Sequence, residues 1–199
     1  MTLGVYKEIS DASPATLSIL STPTPSWLDL DYPDVPPPGP QKTMRELVYL
    51  RSLVPLRVKN GAFVKAADED LIGLFVRLCA RLGVPCDRSE LERISAESVV
   101  PIIKLKWHYN RPRPYQVAER TGVAFYPMAS RTADTPAYPS GHTIQAFLLA
   151  ACLSRKYPQH RRAFMRLADS ISKSRMVGGY HWPSDLEFGR VIAARMARL

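Results

Sequence analysis

Apolar residues recur at helical spacing along most of the chain after residue 42. In the segment 43–54, TMRELVYLRSLV, they lie three and four positions apart, which predicts an amphipathic helix. Similar patterns predict helices over 67–83, 87–110 (interrupted or kinked near Pro101), 140–157 and 159–176, and a last helix after Pro183. The sequence contains neither a convincing strand-like alternation nor an internal repeat. It therefore predicts an all-α, single-domain helical bundle.

The N-terminal part has a different texture. Eight of the 18 prolines lie before residue 41, so the stretch 21–41 is expected to be extended or polyproline-like. Its larger apolar side chains predict that it packs along the body of the protein: Trp27, Leu28, Leu30 and Tyr32. We divide the chain into an extended Pro-rich arm, 1–41, and a helical domain, 42–199.

The net charge of the chain limits the chemical classes of partner that it would attract. The chain has 27 Lys and Arg against 18 Asp and Glu, giving +9 and a pI near 9.7. Such a charge favours anionic partners: phosphorylated metabolites, nucleic acid or an anionic membrane surface. The most apolar stretch, 144–153, is shorter than the roughly 20 residues of a spanning helix, so we expect no integral membrane insertion. The sequence leaves room for a homo-oligomer.

Location and redox state follow from simple patterns. The first residues lack a basic start followed by an apolar run, so no signal peptide is expected and the default location is cytoplasmic. A periplasmic location would require that a signal has been removed. The cysteines, Cys79, Cys86 and Cys152, are odd in number and lack zinc-like spacing, which predicts reduced, packing-type thiols.

The segment 174–185, SRMVGGYHWPSD, carries the first candidate chemistry. His181 and Asp185 are four residues apart, but Pro183 between them favours a helix that begins at Trp182 or Pro183. Asp185 would then reach back from the first turn to His181. A carboxylate that orients an imidazole is half of many catalytic pairs. The alternative interpretation is a helix cap with a surface histidine.

A second cluster is YPSGHT, 138–143. Ser140 can cap the following apolar helix, and Gly141 permits close backbone approach. A helix start with free N–H groups and a hydroxyl can hold a phosphate, with His142 beside it. A simple serine-capped turn is the alternative.

A third cluster is KLKWHYNRPRPY, 104–115. Arginines between prolines have restricted backbones, which suits bidentate contacts to an oxyanion. The alternatives are a solvated basic face and a nucleic-acid patch.

Together the three clusters resemble the tripartite signature of the type 2 phosphatidic acid phosphatase superfamily. They read Lys, six residues, Arg-Pro; then Pro-Ser-Gly-His; then Ser-Arg, five residues, His, three residues, Asp. The chain is most similar to class A bacterial non-specific acid phosphatases, through VPPPGP (35–40), SGHT and Gly-Tyr-His-Trp, and the likeness begins near residue 33. Those enzymes are usually exported, whereas this chain shows no signal peptide.

Two lysines fit the family spacing. Lys104 precedes Arg111 by the same interval as Lys106 precedes Arg113. Two helical positions rotate a side chain by roughly 200°, so both lysines cannot easily face one pocket. We choose Lys106 and Arg113, because Arg113-Pro114-Tyr115 resembles the family's Arg-Pro-aromatic ending. Arg111 becomes an auxiliary positive charge.

The resemblance implies a helical bundle of the acid phosphatase–vanadium haloperoxidase type. It also implies a metal-independent phosphomonoesterase that acts on a small phosphorylated substrate through a phosphohistidine intermediate, without a cofactor. His181 is the implied nucleophile, Asp185 orients it, and His142 is the acid and base. The implied phosphate ligands are Lys106, Arg113, Ser140, Gly141 and Arg175.

Three alternatives accompany this prediction. The first is a vanadium-dependent haloperoxidase, although known members are much larger. The second is a lipid phosphate or isoprenoid diphosphate phosphatase. The third is a non-catalytic nucleic-acid-binding protein, which leaves the Ser-Gly-His and His-Asp spacings unexplained, so no nucleic-acid partner is expected. His108 and His160 are assigned to structure or surface.

Overall fold

The structure is a computed structural model that describes residues 12–25 and 32–198. Its regular secondary structure over those ranges is entirely helical, which confirms the predicted all-α class. The helices are α1 (Pro14–Ser21), α2 (Pro40–Ser52), α3 (Leu56–Glu69), α4 (Leu71–Arg81), α5 (Arg88–Tyr109), α6 (Pro114–Arg120), α7 (Gly141–Lys156), α8 (Arg161–Val177) and α9 (Pro183–Met196), with a 3-10 turn at Pro158–His160.

Helix α7 is the centre of the domain. It contacts α5, α8 and α9, and its aliphatic residues Ile144, Leu148 and Leu149 are fully buried. A helix that is enclosed on several sides is apolar around most of its circumference. The burial of α7 inside the domain therefore accounts for the apolar run IQAFLLAACL. No helix among the described residues combines the length and apolar content needed to cross a bilayer.

The prediction of one helix over 67–83 is wrong at its start. Asp70 ends α3 and caps α4, accepting a hydrogen bond from the Gly73 N–H at 2.8 Å. The acidic residues before it therefore belong to the last turn of α3. An aspartate that caps a new helix stabilises the break. Helices α1, α3 and α6 were not predicted, whereas α5 runs through Pro101 without interruption.

The N-terminal arm is only partly extended. Residues 14–21 form α1, so the expected extended conformation is wrong there, and Ile19 and Leu20 pack against Ile103 and Trp107 of α5. Tyr32 packs against the main core, while Trp27, Leu28 and Leu30 lie outside the described residues.

The connection between α6 and α7 is long and positions the site. Its Met128 N–H donates to the Gly178 carbonyl at 2.8 Å, and its Ala137 N–H donates to the Arg111 carbonyl at 2.8 Å. The segment between these two hydrogen bonds contains Thr132, Thr135 and Pro136, and it brings them close to the ends of α5 and α8.

Candidate active site

Helix α9 begins where the proline pattern predicts. Trp182 precedes Pro183, the first helical residue, and the Asp185 carboxylate accepts a hydrogen bond from the Trp182 N–H at 2.9 Å. The same oxygen, Oδ2, lies 3.1 Å from His181 Nδ1. Asp185 therefore reaches back to the imidazole from the first turn, as expected.

The turn before His181 requires glycine. Gly179 has φ +82°, and a Cβ there would lie 3.1 Å from Phe125 and 3.2 Å from the Pro127 backbone. Only glycine adopts this conformation without strain and leaves room for the adjoining loop. The turn carries the chain from the end of α8 to His181.

Asp185 is buried and bound to an arginine. Its Oδ1 accepts a hydrogen bond from Arg111 Nη1 at 2.6 Å. Burial raises the pKa of Asp185 to about 6, and the positive charge of Arg111 acts in the opposite direction. The positive charge of Arg111 therefore compensates the negative charge of the Asp185 carboxylate, whose other oxygen faces His181.

Arg111 is positioned behind this carboxylate. Its Nη2 donates to Glu46 Oε2 at 3.0 Å, and its guanidinium lies 4.9 Å from the Trp182 ring centroid. Glu46 also accepts a hydrogen bond from the Ser184 N–H at 3.1 Å, at the positive end of α9. Arg111, which was expected to be an auxiliary positive charge nearby, is bound to the carboxylates of both Asp185 and Glu46.

Arg113 contacts the other side of the imidazole. Its Nη1 lies 3.0 Å from His181 Nε2 and donates to the Tyr180 carbonyl at 2.9 Å. With Nδ1–H directed at Asp185, the Nε2 lone pair faces Arg113. Burial, followed by the charges of Arg113 and Lys106, lowers the pKa of His181 well below its ordinary value. These contacts favour the tautomer that carries its proton on Nδ1 and leaves Nε2 as the hydrogen-bond acceptor.

The structure places Lys106, and not Lys104, beside this group. Lys106 Nζ is buried and donates to the Pro136 carbonyl at 2.5 Å. Burial and then the charge of Arg113 lower its pKa well below the ordinary value. Lys104 Nζ instead donates to Thr24 Oγ1 at 3.1 Å, next to the N-terminal arm.

The Ser140-Gly141-His142 cluster lies at the start of α7. Ser140 Oγ caps the helix by accepting from the Thr143 N–H at 3.4 Å, and its own N–H donates to the Asp185 carbonyl at 3.1 Å. A Cβ on Gly141 would lie 3.8 Å from Lys106 Cε. Burial and then the charge of Arg175 lower the pKa of the half-buried His142 well below its ordinary value.

Arg175, in the last turn of α8, is 1% exposed. Its Nη2 donates to Asp68 Oδ1 at 2.6 Å, and its guanidinium lies over the Tyr180 ring, 4.3 Å from the centroid. Within the described part of the chain, its Nε and Nη1 have no hydrogen-bond partner. Leaving buried donors unpaired is costly, so these nitrogens are free to bind an anion.

Asp68 was not predicted as a site residue. Its Oδ1 also accepts from Ser130 Oγ at 3.0 Å and Thr132 Oγ1 at 2.8 Å. Burial acts to raise the pKa of Asp68, but the charge and hydrogen bond of Arg175 bring it below its ordinary value. Asp68 belongs to an acidic run without motif spacing, so no sequence signal marks it. Glu46, a single acidic residue within α2, was also missed because no motif includes it.

The predicted site residues thus converge from α5, α7, α8 and the start of α9. Four of them carry cationic or imidazole groups around one another: Lys106, Arg113, Arg175 and His181. In the ranges covered by the structure, no group of three or more His, Cys, Asp or Glu residues could hold a metal ion. His108 is largely exposed, 4.0 Å from Asp34.

The structure is therefore a helical domain in which buried basic side chains surround an oriented histidine. Residues 94–199, more than half of the chain, match the PAP2 superfamily, and the chain belongs to that superfamily. The superfamily predicted from the three motifs is therefore confirmed.

Several characterised relatives are acid phosphatases. The chain is 35% identical over 101 residues to the non-specific acid phosphatase of Salmonella typhi. This match covers 47% of this chain and 38% of that protein. It is 30% identical over 96 residues to the non-specific acid phosphatase of Providencia stuartii, with coverages of 45% and 36%. The matched regions thus span little more than a third of these relatives.

A solved structure shows the same fold. The transmembrane PAP2-type phosphatidylglycerolphosphate phosphatase from Bacillus subtilis superposes with a TM-score of 0.55 at 17% identity, covering 80% of this chain and 84% of that one. At this identity the likeness concerns the fold alone.

Proposed function

We propose that this protein is a metal-independent phosphomonoesterase of the acid phosphatase type, acting on small phosphorylated substrates through a phosphohistidine intermediate. The observation that carries the proposal is the buried Arg175 guanidinium, with its unpaired Nε and Nη1, beside Lys106 and Arg113. Three buried basic side chains are suited to binding a phosphate dianion. The names of the relatives support the same reaction class.

In the first step, the neutral His181 attacks phosphorus through Nε2. A P–N bond forms as the ester P–O bond breaks, and His142 donates a proton to the leaving oxygen. Asp185 accepts the Nδ1–H hydrogen bond and stabilises the positive charge that develops on the ring. Lys106, Arg113 and Arg175 oppose the charge on the transferring group.

In the second step, His142 accepts a proton from water, and the resulting hydroxide oxygen attacks phosphorus. The P–N bond breaks, returning the electron pair to His181 Nε2 and releasing inorganic phosphate. The Ser140 cap and the N–H groups at the start of α7 supply further donors for the phosphate oxygens.

A substrate panel tests the proposed reaction. The purified protein, with EDTA in every assay, should release phosphate from nucleoside monophosphates, sugar phosphates or p-nitrophenyl phosphate, and vanadate should inhibit it. Phosphate release that appears only when a divalent metal is supplied in excess of EDTA would contradict metal independence. Bromide oxidation with vanadate, without any phosphatase activity, would indicate the haloperoxidase alternative.

The two lysines provide a matched pair of variants. Lys106→Ala is expected to lower kcat/KM for p-nitrophenyl phosphate about 100-fold or more, because it removes a buried cation from the phosphate site. Lys104→Ala should stay within about twofold of the wild type, because its ammonium contacts Thr24. If Lys104→Ala proves the more damaging change, the choice between the two lysines is wrong.

The pH profile should report on His142. Its lowered pKa means that the free protein loses the proton of the general acid at a pH below the ordinary imidazole value of about 6.5. The basic limb of kcat/KM should therefore lie below that value. A bound phosphate dianion favours protonated His142, so the basic limb of kcat should lie at higher pH.

The control is the dependence on the leaving group. His142→Ala should slow an alkyl phosphate, whose leaving oxygen needs a proton, far more than p-nitrophenyl phosphate. Equal effects on both esters, or a kcat limb at lower pH than the kcat/KM limb, would exclude His142 as the acid.

A further inference from the structure

The segment around the α2–α3 turn exposes an unusual number of apolar side chains. Val58 is 96% exposed and Val48 is 65% exposed. Tyr126 is 77% exposed, and its main-chain carbonyl accepts a hydrogen bond from Arg57 Nη1 at 2.8 Å, which places the Tyr126 backbone next to the Arg57 side chain of α3. We call this surface the α2–α3 patch; its exposed apolar residues are Val48, Tyr49, Val54, Leu56, Val58 and Tyr126.

The α2–α3 patch is also basic. Between Glu46 and Asp68 the sequence contains no acidic residue, while exposed Arg51 and Lys59 stand among the apolar side chains. Several exposed apolar side chains within one short stretch of a folded chain favour an interaction site there. Its combination with cations selects a partner with an apolar interior and an anionic surface.

We propose that the α2–α3 patch docks the protein onto the surface of an anionic lipid bilayer. The aliphatic side chains and the two tyrosines would enter the headgroup region, and Arg51 and Lys59 would contact lipid phosphates. This mode of binding is peripheral, consistent with the absence of a spanning helix in the described ranges.

A second copy of the chain fits this surface less well. A symmetric contact would use the same patch on both partners, so it would bring Arg51 and Lys59 of both copies into one interface without an acidic partner from the patch. Like charges in such a contact are unfavourable. An anionic bilayer would neutralise these charges with its lipid phosphates, and it would at the same time accept the apolar side chains into its headgroup region.

The α2–α3 patch is tied to the fold but lies outside the proposed chemistry. Arg57 Nε donates to the Val177 carbonyl at 2.8 Å, which anchors the start of α3 to the end of α8. None of the exposed patch residues contacts His181, His142 or the three site cations in the hydrogen bonds that the structure describes. Docking and turnover of a water-soluble ester can therefore be measured separately.

Co-sedimentation with lipid vesicles tests the proposal. The full chain should bind vesicles of mixed phosphatidylglycerol and phosphatidylcholine, bind pure phosphatidylcholine at least about tenfold more weakly, and release from the anionic vesicles as salt is raised. The double variant Val58→Glu/Tyr126→Glu should lose about tenfold or more of the binding. Both positions are highly exposed, so the substitutions should leave the fold intact.

The matched control is Leu17→Glu/Val191→Glu. Those residues are also partly exposed, 40% and 45%, and the double change alters the net charge equally, but they lie on α1 and α9. The control should keep most of its vesicle binding. A second variant, Arg51→Gln/Lys59→Gln, should weaken binding at low salt without touching the apolar residues. All variants should turn over p-nitrophenyl phosphate at the same rate as the unaltered chain.

Specific results would overturn the proposal. They are absence of binding to anionic vesicles, equal loss of binding in the patch and control variants, or equal binding to pure phosphatidylcholine. Concentration-dependent dimerisation abolished by Val58→Glu/Tyr126→Glu, without vesicle binding, would make the patch a self-association surface instead.

Discussion

Replacing His181 by alanine is expected to reduce turnover of phosphomonoesters by at least about 10⁴-fold, to the background of the assay. The variant lacks Nε2, the only protein atom that bonds to phosphorus in the proposed mechanism. The fold should persist, because Asp185 keeps its hydrogen bonds from Arg111 Nη1 and the Trp182 N–H. Steady-state kinetics with p-nitrophenyl phosphate, together with near-UV circular dichroism, would measure both properties.

The matched control is His160→Ala, outside the site in the 3-10 turn before α8. It should keep near-wild-type kcat/KM. Because His181 is buried, His181→Asn offers a second variant that fills part of the space and retains a polar group beside Asp185. Turnover near the wild-type rate in either His181 variant would exclude the nucleophile assignment.

Rapid acid-free quenching with a ³²P-labelled substrate adds a direct measurement. The wild type should trap label in an alkali-stable, acid-labile form, as expected for phosphohistidine, whereas His181→Ala should trap none. Alkali-labile label would instead place the phosphoryl group on a different kind of residue.

Arg175→Lys is expected to lower kcat/KM by about 10²–10³-fold, although it preserves charge. A lysine presents one ammonium, whereas the guanidinium can bind Asp68 with Nη2 and still direct Nε and Nη1 at a phosphate. Removing one preorganised donor from a transition state costs about 10²–10³ in rate. Inorganic phosphate should also raise the Tm of the wild type more than that of the variant.

Arg190→Lys is the matched control. Arg190 is paired with Asp169 on α8, but its side chain is 41% exposed and lies away from the site, so kcat/KM should change less than about twofold. Full activity in Arg175→Lys would show that the unpaired nitrogens do not bind the substrate.

Asp68 should act as a positioning residue for Arg175. Asp68→Asn keeps the size of the side chain but removes the charge that holds the guanidinium, so phosphate affinity should fall together with kcat/KM. In combination with Arg175→Met, the buried charge is removed from both partners, which avoids leaving an isolated ion in the interior. The double variant should fold but lose the thermal stabilisation by phosphate. Stabilisation that survives in both variants would assign Asp68 a purely structural role.

The helix starts that were predicted correctly depended on the local chemistry of single residues. Proline cannot enter a helix interior but suits its first turn, so Pro183 marked the start of α9 and placed Asp185 within reach of His181. Ser140 as an N-cap similarly marked the start of α7. Where a local signal was weak, as in α3 with its mixed residues LRVKNGAFVKAADE, the helix was missed.

The acidic run 68–70 shows the limit of such local arguments. Acids are favourable near a helix start, so the run fits the predicted helix over 67–83 as well as it fits the observed break. In the folded chain Asp70 caps α4. Asp68 instead lies in the last turn of α3 and forms an ion pair with Arg175, which is 107 residues away in the sequence. No interaction within the run distinguishes the two aspartates.

The amino-acid sequence by itself determined that the chain is helical and where its best-marked helices begin. Those properties depend on neighbours within a few residues. Only the tertiary structure decided that Lys106 enters the site while Lys104 meets the arm, that Arg111 supports Asp185, and that Asp68 holds Arg175. The reason is physical: which way a buried charge points is set by partners that packing brings together from distant parts of the chain.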